Sequence, residues 1–487
     1  MQAVGSIFAF ISLAAGIIFL VYALKYYLSV IIVLLLGSGN NLFNNSNHNN
    51  SNPTNKKSEN EPCVSIHLPM YNEKNVVNRI MKACTSLDYK NYEVIVVDDS
   101  TDETTKILNE RWSNHPRVKM THREKRHGFK GGALNEALRH MNPKADYVLV
   151  FDADFIPPPD IVNSFLWYFE NSNYINKNNR RNHGEGIVFE RIEDWYRKLE
   201  TAAVQGYQWH MLNAGENWLT KGVRVEYSGN YMVERTCQEV LGAMKMIAGS
   251  VFMIKANILR KYRWSTSLTE DWELTLRLYM DGYRVVYTPL IQAPAECPST
   301  IRRLIKQRLR WAEGHTFNVK KYFGKVLMSP RVSLMEKFEF IFHYSLYYLQ
   351  SLLFCLGMTF WILSELVRRY APFSTLWTPQ FGWALVLINL FSLPIMGLTG
   401  LFLERSVRKN LMGIFSFVIM SYILAFVQAY GSLKGLFEKK EGVWVRTFKT
   451  GKVTEAMMTL RLRRILRAIV PKRRIRARKP KKGKEKT

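Results

Sequence analysis

Apolar and polar positions follow different periods along the chain, and the changes of period divide it. From Val4 to Leu36 the only charge is Lys25, and about 20 apolar residues in helix suffice to cross a bilayer. The run has no basic leading region and is long for a signal peptide, so 1–37 is expected to be a retained membrane helix. Over 38–61 the pattern stops: ten of the 21 residues from Asn40 to Asn60 are Asn, the composition of a linker without fixed structure. Three long stretches without Asp, Glu, Lys or Arg return late in the chain, at Phe340–Leu363, Trp383–Leu403 and Leu411–Leu433, each long enough to span.

Between these lies a block in which short apolar runs alternate with helical spacing. Ser65–Leu68 leads into a turn and a helix over Val76–Ser86. Tyr92–Val97 is a continuous β-branched run of the kind found in buried parallel strands, followed by a helix capped by Ser100 or Thr101 and running to about Asn114. Val118–Thr121, the helix Gly131–Met141 and the strand Tyr147–Phe151 continue the alternation, which predicts an α/β domain with a mostly parallel sheet. Ligands of such sheets bind beyond the carboxyl ends of the strands. Asp98-Asp99 and Asp152-Ala153-Asp154 both fall at such ends and are expected to face one crevice.

Composition sharpens this picture in two places. With 47% hydrophobic and 22% charged residues in 487, general disorder is excluded, and the five cysteines show no close metal-ligand spacing. The formal charge is +28, of which +13 lies in Arg461–Thr487, where 14 Lys and Arg face one Glu. Met458, Leu462, Leu466 and Ile469 give that tail an apolar stripe between arginines, which suits an anionic lipid surface at about 1 kcal/mol per basic residue. A solvated charge run and a nucleic-acid arm are the alternatives; beside several membrane segments the lipid surface is expected, and no nucleic-acid partner.

A strand-end Asp-x-Asp supplies hard oxygens for a divalent cation, which in turn bridges a diphosphate, although such pairs also serve merely as turn formers. The loop Arg123–Gly132 adds cations and three glycines that let backbone N–H groups approach phosphate, or it is an ordinary basic surface loop. Thr269-Glu270-Asp271 reads equally as a helix N-cap with acids in the first turn. Ile301–His315 has an apolar side and a basic side, as an interfacial helix would.

Taken in order, Pro69-x-Tyr71-Asn72-Glu73, Val97-Asp98-Asp99-Ser100-Thr101-Asp102, Gly128-Phe129-Lys130-Gly131-Gly132, Asp152-Ala153-Asp154, Thr269-Glu270-Asp271 and Gln307-Arg308-Leu309-Arg310-Trp311 resemble the inverting family 2 glycosyltransferases of GT-A fold, in their membrane-integral cellulose synthase-like and hyaluronan synthase-like branch. The resemblance covers about Pro62 to Lys452. It implies a Rossmann-like GT-A nucleotide-sugar domain over 62–300 set between transmembrane helices, with interfacial helices over 301–335 and two spans over 336–404. It implies that Tyr71, Glu73, Asp98, Asp99, Lys130, Asp152, Gln307, Arg310 and Trp311 hold the donor, and that Asp154 with Asp152 binds Mg²⁺ or Mn²⁺. Asp271 would be the catalytic base, flanked by Glu270 and aided by Arg310. Trp272, Trp311, Gly249 and Ser250 would meet the acceptor. Trp444, Thr447 and Lys449 resemble a mobile loop (441–452) that closes over the nucleotide, although Arg446 stands where that loop usually has Val.

Nucleotide sugars are cytosolic, so the catalytic block and, by its charge, the tail (453–487) are expected inside the cell membrane. This requires three spans, with Leu411–Leu433, in segment 405–440, lying in or dipping into the cytosolic leaflet. The expected donor is a nucleotide-diphosphate sugar, UDP-linked in preference to GDP-linked, and the acceptor a glycan or a lipid. Three or four helices are expected to be too few to surround a polymer alone, so either a homo-oligomer makes a polysaccharide or one copy makes a glycolipid.

Overall fold

The computed structural model describes residues 1–39, 61–178, 200–345, 348–371, 379–442, 444 and 446–454. The Asn-rich linker and nearly all of the basic tail lie outside the described residues.

A seven-stranded sheet forms the centre, in the order β3-β2-β1-β4-β6-β5-β7. Its strands are β1 (Val64–Met70), β2 (Tyr92–Asp98), β3 (Val118–His122), β4 (Tyr147–Val150), β5 (Thr201–His210), β6 (Phe252–Lys255) and β7 (Arg284–Ala295). Pairings are parallel except that β6 runs antiparallel to both its neighbours. β2 is an uninterrupted apolar run because both faces of the sheet are covered: Val94 and Val96 pack into one core, Ile95 and Val97 into the other. Each such fully buried side chain contributes about 1.5–3 kcal/mol.

Helices α2 (Val77–Cys84), α3 (Thr104–Trp112), α4 (Phe129–His140) and α5 (Ile161–Asn178) fill the crossovers. Neither Ser100 nor Thr101 caps α3. Ser100 Oγ instead accepts from Asn72 N–H at 2.7 Å, Thr101 N–H donates to Asn72 Oδ1, and Asp102 takes the Thr104 N–H, so Ser100 and Thr101 tie two strand-end loops together. Further on come α6 (Trp218–Gly229), α7 (Arg235–Val240), α8 (Ala256–Tyr262), α9 (Glu270–Met280), α10 (Ile301–Met328) and α11 (Leu334–Glu339), with π-helical turns at Asn230–Glu234 and Phe340–Ser345. The late apolar stretch expected from Phe340 therefore splits. Phe340 is part of the hydrophobic core of the α/β domain, and the long helix starts only at Leu349.

Four helices are long and apolar enough to cross a membrane: α1 (Gln2–Gly39), α12 (Leu349–Tyr370), α13 (Pro379–Leu403) and α14 (Val407–Phe437). α1 packs on α12 and α13. α14 differs from the others, because both its ends rest on the α/β domain. Gly413 lies against the Lys221 carbonyl of α6, Gly431 and Gly435 against α10, and Lys434 pairs with Glu313 at 3.1 Å. Phe415, Ile419, Phe426 and Tyr430 form an exposed stripe on its other side.

Candidate active site

The register of three parallel strands gathers the expected residues. Met70 lies level with Asp98, Asp99 N–H donates to Met70 O, and Phe151 N–H donates to His67 O. Tyr71, Asp99 and Asp152 thus emerge side by side at the carboxyl edge of β2, β1 and β4. Asn72, at φ 57°, turns the chain there, a conformation Asn tolerates better than most residues. One cavity of about 1280 Å³ is lined by Tyr71, Glu73, Asp99, Lys130, Asp152, Asp154, Asp271, Gln307, Arg310, Trp311, Thr447 and Lys449.

Four carboxylates on the donor side each carry a cation. Asp99 accepts from Arg123 Nε at 2.7 Å and Nη2 at 2.5 Å. Asp152 takes Lys130 at 2.7 Å, Asp154 takes Lys449 at 2.5 Å, and Glu73 takes Arg446 Nε and Nη2, both at 3.1 Å. Asp98 stays buried below them, holding Thr105, His122 and the Ser100 N–H. Arg126 lies 3.5 Å from the centre of the Tyr71 ring and 4.5 Å from that of Trp444, and Arg310 lies 4.9 Å from Trp444 on its own side. This aromatic–cation stack, at the end of the crevice where a base is expected, is worth about 0.5–2 kcal/mol per contact.

Across the cavity Glu270 and Asp271 sit in the first turn of α9 and face the site, whereas the Thr269 hydroxyl does not cap the helix and accepts from Asn318 instead. Lys130 Nζ donates to Gly249 O at 2.8 Å and lies 3.7 Å from Glu270, which ties the Asp152 side to the Asp271 side. Burial raises the carboxyl pKa values of Glu270 and Asp271, and Lys130 works in the opposite direction. Gly249 has φ +72°, and a Cβ there would stand 2.8 Å from Asp271 Oδ2. Gln307 Oε1 has no hydrogen-bond partner among the described residues, and Arg308 covers Trp311 at 4.6 Å while donating to Glu226.

Two expected acceptor residues are placed otherwise. Trp272 is 1% exposed, stacked with His315 and Tyr344, so its ring has no open face for a sugar. Ser250 is fully buried and accepts from the Asp152 N–H at 2.9 Å, which makes it a support for Asp152. Gly249 lies at the Asp271 carboxylate, and Trp311 does line the cavity.

Three groups escaped the sequence. Arg126 was visible only as one cation among several in a basic loop. Arg446 looked like a departure from a pattern, yet it supplies the partner of Glu73. Glu296, 1% exposed, accepts from Arg79 at 2.7 Å and from the Thr450 and Gly451 N–H groups at 3.0 Å each, so it fastens one end of the 441–452 loop. Glu441 fastens the other end, on Ser267 and the Leu268 N–H. A lone Glu after a strand carries no signal in sequence.

The cavity does not end at Asp271. Ser12, Phe19, Phe354, Trp361, Asn389 and Gln428 extend its lining between α1, α12, α13 and α14. Glu226 and Tyr227 of α6, Arg310 of α10, and Tyr231 and Tyr344 of the π-helical turns line it as well.

Two family models match the chain: Glycosyl transferase family 2 over residues 65–226, and Glycosyl transferase family group 2 over 185–429, just over half of its length. The chain is a family 2 glycosyltransferase. Its relatives place this glycosyltransferase in the cellulose synthase-like branch, and its fold is of the GT-A type. Glucomannan 4-beta-mannosyltransferase 7 of Arabidopsis thaliana is 26% identical over 405 residues, 81% of this chain and 66% of its own length. Glucomannan 4-beta-mannosyltransferase 1 of Oryza sativa subsp. japonica is 27% identical over 296 residues, 58% and 51%. The glycosyltransferase thus spans between about half and two thirds of the curated relatives it matches. Among solved structures, the mannosyltransferase PcManGT from Pyrobaculum calidifontis, in complex with GDP-Man and Mn²⁺, superposes with a TM-score of 0.46 at 17% identity, covering 84% of this chain and 98% of that one.

Proposed function

We propose that this glycosyltransferase is membrane-integral, inverting and divalent-metal-dependent, and that it adds mannosyl units from a nucleotide-diphosphate sugar to a β-linked polysaccharide. The observation that carries the reading is the placement of Asp271 across one cavity from Asp152 and Asp154, with Lys130 between. The acceptor hydroxyl attacks the anomeric carbon from the face opposite the diphosphate. A new carbon–oxygen bond forms, the bond to phosphate breaks, and the hydroxyl proton passes to Asp271. Such base assistance is worth about 10²–10⁴-fold. Lys130 and Arg310 stabilise the charge growing on the leaving diphosphate in a site the Trp444 loop shields from water.

Asp152 and Asp154 fit a divalent cation: both offer hard oxygens to the cavity, both already hold a cationic group, and Mg²⁺ or Mn²⁺ completes its shell from one or two carboxylates plus substrate phosphates. When bound, the ion would neutralise diphosphate charge. Mannose is proposed because the relatives above are named mannosyltransferases. UDP- and GDP-linked donors remain to be compared, since Asp99 can accept from the N–H groups of either base.

Polar groups along α1, α12, α13 and α14, set among Phe354 and Trp361, support an extended glycan over a single lipid-linked sugar. The packing of both ends of α14 on the catalytic domain supports three spans with α14 in the cytosolic leaflet. A reporter fused to the C-terminus should be cytosolic; finding it outside refutes this topology. For the activity, purified protein with Mn²⁺ is given UDP-glucose, UDP-mannose, GDP-glucose and GDP-mannose in turn. Release of the nucleoside diphosphate with a β-linked polymer is expected, and a product of one sugar on a lipid would replace the polymer reading.

A further inference from the structure

The strap 441–452 does more than cover the site. Its two ends are fastened to the α/β domain, by Glu441 on Ser267 and by Thr450 and Gly451 on Glu296. Between these points it reaches into the donor site with two cations, Arg446 on Glu73 and Lys449 on Asp154. Asp154 is 4% exposed, and the Lys449 ammonium at 2.5 Å is the cation it holds. A carboxylate that deep is costly without a partner. A divalent cation bound through Asp154 Oδ2 would take the oxygen that Lys449 holds, and two positive charges at one oxygen repel each other.

We propose that Lys449 is a built-in stand-in for the divalent cation, so that metal entry and the departure of Lys449 from Asp154 are one exchange driven by the donor. A nucleotide-diphosphate sugar brings about two negative charges and the metal two positive ones, so the pair enters a charge-balanced site without unbalancing it. The metal alone must expel an ammonium from Asp154 while the neighbouring carboxylates, Glu73 and Glu296, already hold Arg446 and Arg79, so the ammonium needs a further anion. The diphosphate supplies that anion, and the released Lys449 remains on the strap within its reach. Metal therefore binds weakly before nucleotide and tightly with it. This inference rests on the assignment of Asp152 and Asp154 to the metal.

The test is Mn²⁺ binding by the full chain in detergent, read from the electron paramagnetic resonance signal of free Mn²⁺, with and without UDP or GDP. Wild type is expected to bind Mn²⁺ at least about tenfold more tightly with nucleotide than without. Lys449→Met should bind Mn²⁺ alone about tenfold more tightly than wild type, and Lys449→Arg, which keeps the cation, should not. Arg446→Gln loosens the strap at its Glu73 contact, between the two anchors, and gives a second reading in the same direction. Unchanged affinity for Mn²⁺ alone in both Lys449→Met and Arg446→Gln, with nucleotide-supported binding intact, overturns the exchange. Nucleotide-supported binding that survives Asp154→Asn would instead overturn the metal assignment, and the exchange with it.

Discussion

Gly249→Ala separates backbone cost from damage to the reaction. At φ +72° an Ala adopts a left-handed conformation that costs about 1–2 kcal/mol. The new methyl would stand 2.8 Å from Asp271 Oδ2 and 3.3 Å from Lys130 Nζ, whereas ordinary contact begins at 3.4 Å, so the carboxylate must retreat by about 0.6 Å. A displacement approaching 1 Å at the reacting groups costs up to about 10²-fold, so kcat should fall by about 10–100-fold. Gly282→Ala is the control. It carries φ +83° at the far end of α9 from Asp271, about 16 Å along the helix axis, and pays the same backbone cost away from the site. Released nucleoside diphosphate at saturating donor and the melting temperature are measured for both. Both variants should lose a similar few degrees of melting temperature, and only Gly249→Ala should lose turnover. Equal turnover in the two variants would refute the view that Gly249 makes room for the base.

Asp271→Asn should lower kcat by about 10²–10⁴-fold with little change in donor affinity, measured by steady-state kinetics and nucleotide binding. Because burial raises the Asp271 carboxyl pKa, the ionised base forms only above the ordinary Asp value of about 3.9, so kcat/KM should rise with pH through a limb displaced upward. A limb at or below that value would contradict the burial argument. The same shift makes Asp271 favour folding at low pH and oppose it as pH rises from its unfolded to its folded pKa, so Asp271→Asn should remove that part of the pH dependence of the melting temperature. Glu296→Gln leaves Arg79 short of its partner and unfastens Thr450 and Gly451; donor KM should rise more than kcat falls, with faster proteolysis in the strap. Trp444→Ala removes one face of the Arg126 stack and should raise donor KM about tenfold.

Much of the site was legible because strand alternation carries its own geometry. A buried β-branched run followed by acids forces those acids to the carboxyl edge of a parallel sheet, so Asp99, Asp152 and Asp154 were bound to share a crevice once β2 and β4 were placed on either side of β1. The first-turn position of Glu270 and Asp271 followed from the same local rules. Long-range placement was not legible. Trp272 stands next to the base in sequence, but one helical step of about 100° turns it away from Asp271 and into the stack with His315 and Tyr344. Ser250 belongs to the turn into β6, and the antiparallel pairing of β6 with β4 is what brings its hydroxyl to the Asp152 N–H.

The sequence by itself determined the elements and the chemistry available, since apolar period, strand-end acids and span length are local properties of the chain. Only the tertiary structure decided which charges meet: Glu73 with Arg446, Asp154 with Lys449 and Glu296 with the strap lie 154 to 373 residues apart. Pairs at such separation are set by how the sheet, α10 and α14 pack, and no local pattern encodes them. The same packing sets the 31-residue helix α14 against α6 near Gly413 and against α10 near Gly431 and Gly435, which no local apolar pattern encodes.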